Sequence, residues 1–125
     1  MKTIKYTQLT SELLKFFPHF QKTYNEKFDY FKPDEPGHHV VYGDLLLPYL
    51  LECVRLNKVT ELHKIFDFLE FLSNQENLKI QEVVQMSVLE SLGKDEILLE
   101  KIQEYMGPAT KKLSDEIEKF WNKEP

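Results

Sequence analysis

Disulfides, phosphate loops, membrane spans and basic faces are all missing from this chain of 125 residues, and each shortage removes a class of protein. A single cysteine, Cys53, excludes an intramolecular disulfide and fits a reducing compartment. The four glycines stand singly at 37, 43, 93 and 107, so no glycine-rich loop is available to cradle a phosphate. Only one of the 16 basic residues is arginine, Arg55, against 21 acids and a net charge of −5. The Lys111–Lys112 pair is flanked by Asp115, Glu116 and Glu118, so no nucleic-acid partner is expected. No apolar run approaches the roughly 18 residues that cross a bilayer, so no membrane association is expected. The opening stretch, MKTIKYTQLTSELLKFF, lacks the apolar centre of a secretory signal. The expected location is the cytoplasm.

What is present is helical. Hydrophobic residues make up 42% and charged ones 30%, a balance that suits a single globular core. Leu13, Phe17, Phe20, Tyr24, Phe28 and Phe31 recur three or four residues apart, with Pro18 inside the pattern. An interior proline breaks a helix, so two pieces meeting at a bend are expected, at about 7–16 and 18–30. FKPDEPGHH (31–39) reads as a loop and VVY (40–42) as briefly extended. Further helices are expected at about 44–56, 60–74, 78–92, 95–105 and 109–122. Asp44 and Thr60 serve as candidate N-caps, Gly93 as a stop, and Leu113, Ile117, Phe120 and Trp121 as one face of the last helix. The 60–74 segment is apolar nearly all round in its second half and belongs at the centre. The expected fold is all-α, one domain of about six helices, the first of them split in two.

IQEVVQMSVLESLG (80–93) resembles the second helix of a HEAT repeat, which implies a short solenoid-like stack capped by the aromatic N-terminal segment. FFPHF (16–20), VYGDLLLPYL (41–50), KIFDFLEFL (64–72) and EKIQEYMGPATKKLSDEIEKFW (100–121) together resemble a family of small bacterial cytosolic proteins of unknown function. That resemblance implies no activity to carry over.

Three groups of residues carry possible chemistry. His38 and His39, with Asp34, Glu35 and Asp44 nearby, are the candidates for a metal clip, set against a plain loop pair. His63, Asp67 and Glu70 share a helix face; the simpler reading is a polar stripe in which His63 bonds Asp67. Cys53, among leucines, reads as a small core residue, and the aromatic ladder as core. None has a metalloprotease or di-iron spacing, so no catalytic residue and no cofactor are assigned.

The expected role is a non-enzymatic protein-interaction module, in its most concrete form an immunity-type protein that neutralises a basic toxin. Tyr42 would anchor that contact, with Asp44, Asp67, Glu70 and Glu90 as electrostatic partners. The alternatives are a small metal-dependent hydrolase using the His38/His39 loop and a structural subunit of a larger assembly.

Overall fold

A computed structural model describes residues 2–121, with Trp121 through its backbone alone. Among these residues there are helices and turns but no strand. A 3₁₀ turn at Tyr6–Gln8 leads into α1 (Leu9–Phe16), and α2 is Phe20–Lys27. A second 3₁₀ turn, Asp29–Phe31, takes the place of the last turn expected of α2. The chain then forms α3 (38–55), α4 (Val59–Ser73), α5 (78–93), α6 (Glu96–Gln103) and α7 (Pro108–Trp121). The fold is all-α. The break before α2 lies at Phe17 (φ −124, ψ 76), because a residue preceding proline is pushed out of the helical region.

α3 departs most from expectation. Instead of starting at Gly43 or Asp44 after an extended VVY, it begins at His38 and includes both histidines. β-branched Val40 and Val41 each cost roughly half a kcal/mol of helix propensity. Val41, Tyr42, Leu45 and Leu46 are all buried, and each such side chain contributes roughly 1.5–3 kcal/mol. Burial wins. Tyr42–Leu46 is a π-helical turn, closed by the Leu47 N–H on the Tyr42 carbonyl, and it ends just before Pro48. A proline ring crowds the carbonyl four residues back, and the widened turn gives it room. α5 carries a matching π turn at Gln85–Leu89, with no proline, and the two π turns pack against each other. A Cβ at Gly43 would lie 3.8 Å from the Ser87 carbonyl, so the two backbones run close there.

α4 is the central helix, burying Leu62, Ile65, Phe66, Phe68, Leu69 and Leu72 against α3, α5 and α7. Thr60 lies inside it and caps nothing; Lys58 is the residue at its N-terminal boundary. The preceding turn is set by the end of α3, where Asn57 takes a left-handed conformation (φ 55). The Lys58 N–H reaches the Cys53 carbonyl at 2.8 Å and the Asn57 N–H the Val54 carbonyl at 3.1 Å. This is a Schellman closure with asparagine in the usual glycine position. Asn77 and Asp95 cap α5 and α6 through their side chains. On α7, Leu113 and Ile117 face the core while Phe120 is 61% exposed; Trp121's side chain and residue 122 lie outside the described residues. Phe17 and Phe20 stack at 5.3 Å, and Phe17 meets Phe68 edge-on at 5.6 Å; Phe17, Phe20 and Phe28 are core, Tyr24 and Phe31 pack against it half-buried, and Phe16 is 38% exposed.

Candidate functional site

The two histidines stand on the first turn of α3 and point to different neighbours. The His38 ring shares a hydrogen bond through Nδ1 with the Thr10 hydroxyl on α1 at 2.8 Å and packs edge-on against Tyr6. His39 Nδ1 pairs with the Ser87 hydroxyl in the π turn of α5 at 2.9 Å. The pair therefore latches the start of α3 to α1 on one side and to α5 on the other. Burial lowers the His38 pKa, with Glu35 opposing and His39 adding to the shift. Among the described residues no group of three or more His, Cys, Asp or Glu side chains is arranged to hold a metal ion.

The five residues expected to meet a partner are dispersed. Tyr42 is fully buried, and its hydroxyl donates to the Leu9 carbonyl at 2.8 Å. This corrects its expected place at a surface edge: with α3 beginning at His38, position 42 falls on the inward face with Leu46, one turn on. Burial, and then the charge of Glu12, push its phenol well above the ordinary value. Asp44, on the same π turn, is exposed. Glu90 is half-buried, directly after the α5 π turn. Asp67 is exposed on α4, and the expected His63–Asp67 bond gives way to an edge contact of His63 with the Tyr105 ring at 4.8 Å.

Glu70 turns inward and caps a different helix. Its carboxylate accepts from the N–H groups of Ala109 (3.1 Å) and Thr110 (2.9 Å) and from the Thr110 hydroxyl (2.9 Å). Burial alone would raise its pKa; these bonds, with one from Asn74, outweigh burial and hold it below the ordinary value. Gly107 lets the carboxylate approach, since a Cβ there would sit 2.4 Å from the Glu70 carboxyl carbon.

Cys53 is 1% exposed, and burial raises its thiol pKa, which suits a core residue. Beside it, the Tyr49 hydroxyl donates to the Glu61 carboxylate; burial first, and then that bond, raise the phenol strongly.

A groove absent from the sequence reading lies between the end of α3 and α6, with a volume of about 410 Å³. Val54, Leu62 and Ile102 form its apolar lining, Tyr105 an aromatic wall, and Arg55, Glu100, Lys101 and Glu104 a charged rim. The glutamates recurring every four residues at 96, 100 and 104 were a visible hint of an exposed acidic ridge. Nothing local says that the turn at Asn57 packs beside it.

The fold and its surfaces define an all-helical domain with a continuous core, charged faces and an open groove between α3 and α6. The chain belongs to the family described as a domain of unknown function (DUF7674), whose model matches residues 10–122. No curated protein and no solved structure matches the chain. No helix among the described residues is long and apolar enough to cross a membrane.

Proposed function

We propose that this chain is a non-enzymatic cytoplasmic protein-interaction domain whose partner is basic. One observation carries the reading. The ion pairs within 4.0 Å that join two described residues hold Glu12, Asp29 and Glu52. Asp44, Asp67, Glu100 and Glu104 are exposed, with no basic group paired to them among those residues. Such a surface accelerates encounter with a positively charged protein and disfavours acidic competitors. Its most concrete form is an immunity-type protein that covers the phosphate-binding cleft of a basic toxin. The divergence of His38 and His39 onto Thr10 and Ser87 supports a latching role for them rather than a hydrolytic one.

The test is affinity capture of the tagged chain from lysate of its own organism at low and at high salt, read by mass spectrometry. A stoichiometric basic protein released by salt is the expected result. Capture of no protein at either salt overturns the reading.

A further inference from the structure

We infer that the groove between α3 and α6 is the docking site for an arginine-bearing segment of the partner protein. The inference rests on the basic-partner reading above and names the place where it acts.

The charge balance points to a cation. Arg55 is already matched by Glu52, to which it donates through Nε at 2.9 Å and through Nη2. The rest of the rim is two carboxylates, Glu100 and Glu104, against one ammonium, Lys101, a net of −1. All three are exposed, and no ion pair joins them among the described residues.

The shape points to a planar cation with apolar neighbours. Half-buried Tyr105, whose ring also meets His63 and Phe66, lines the groove beside the two glutamates, and half-buried Val54 supplies its apolar surface, since Ile102 and Leu62 expose almost none. A guanidinium can stack on such a ring while donating paired hydrogen bonds to a carboxylate, which a lysine ammonium cannot do in the same plane. About 410 Å³ falls in the range of sites that take a small ligand or a few side chains. The apolar surface also continues outside the groove. Ile97 lies on the α6 face shared by Glu100, Lys101 and Glu104 and is 71% exposed. Leu56 before Asn57 and Val59 at the start of α4 are each close to half exposed. Acidic rim, aromatic wall and apolar shoulders together match a segment in which arginine alternates with aliphatic residues.

The test is a titration of the full ¹⁵N-labelled chain with the acetylated, amidated peptide Gly-Leu-Arg-Leu-Arg-Gly, followed by amide chemical shifts. A second peptide carries citrulline in place of each arginine, keeping the shape without the charge. The expected shifts cluster at residues 54–57, 62 and 100–105, and the citrulline peptide gives none. Glu100→Gln with Glu104→Gln weakens binding by about tenfold or more. Glu26→Gln with Glu82→Gln leaves the affinity within about twofold, since both are exposed acids outside the groove. Glu100 and Glu104 are exposed, so the thermal midpoint of their double variant stays close to that of the parent.

Shifts centred on Asp44 or Asp67, or equal binding of the citrulline peptide, overturn the groove assignment. No shift anywhere, together with a salt-sensitive basic protein captured from lysate, also overturns the groove and leaves the wider reading standing. No shift and no captured protein remove both.

Discussion

Replacing Glu70 with alanine tests the internal cap most directly. The side chain spans from α4 to the first turn of α7, where it satisfies two backbone N–H groups and one hydroxyl. Loss of an N-cap costs about 0.5–2 kcal/mol, and hydrogen bonds to a charged acceptor lie at about 1.5–3 kcal/mol each before screening. Glu70 is half-buried, so solvent screens part of this, and a loss of about 2 kcal/mol is expected for Glu70→Ala. At about 4 °C per kcal/mol for a domain of this size, the midpoint should fall by about 8 °C. Gly107→Ala pushes the carboxylate off the same donors, because the new Cβ overlaps Oε1 at 2.5 Å. The flexible side chain can swing away, so the main cost is the lost cap. Gly107→Ala should therefore destabilise the parent by about 1 kcal/mol and the Glu70→Ala background hardly at all. The pH dependence has a definite sign. A folded-state pKa below the ordinary 4.5 means the carboxylate's contribution is complete above that value and is lost as pH falls through the depressed one. The gap between parent and Glu70→Ala, measured by urea unfolding with far-UV circular dichroism, should thus narrow towards strong acid. A loss under about 0.5 kcal/mol for Glu70→Ala, or additive effects of the two substitutions, would refute the reasoning.

Two further outcomes follow from the same structure. Tyr42→Phe removes the buried bond to the Leu9 carbonyl and should cost about 1 kcal/mol, and Tyr42→Ala roughly 3–5 kcal/mol through the cavity it leaves. If urea unfolding finds the alanine variant as stable as the parent, Tyr42 is not the core residue described. His38 has a lowered proton affinity in the folded state, so its contribution is complete above its ordinary pKa of 6.5 and declines as pH falls through the lowered value. Thermal midpoints between pH 7 and 5 should therefore fall more steeply for the parent than for His38→Gln, and parallel curves would count against the latch.

Much of the fold was legible because helix formation and amphipathic burial leave a local signature. The spacing of Leu62, Ile65, Phe66, Phe68, Leu69, Phe71 and Leu72 identifies a central helix without knowledge of its neighbours, and all of these are buried except Phe71, which is half-buried. Pro18 marks the bend through its fixed ring, and Cys53 reads as core from its leucine neighbours. The start of α3 was misread for a physical reason as well. Local preference at Val40–Val41 favours an extended chain, and only the burial of Val41 and Tyr42 against other helices overrides it. That shift carried the histidines out of a loop and turned Tyr42 inward.

The helical class, the position of the core helix and the acidic balance are all readable along the chain, because periodicity and composition are properties of neighbouring residues. Tertiary structure alone decided which polar groups meet. Glu70 finds its donors 39 and 40 residues away, His39 finds Ser87 48 residues away, and the groove joins the end of α3 to α6. Those pairings depend on how helices pack, and helix packing is set by the shapes of whole faces rather than by the spacing of residues along any one of them.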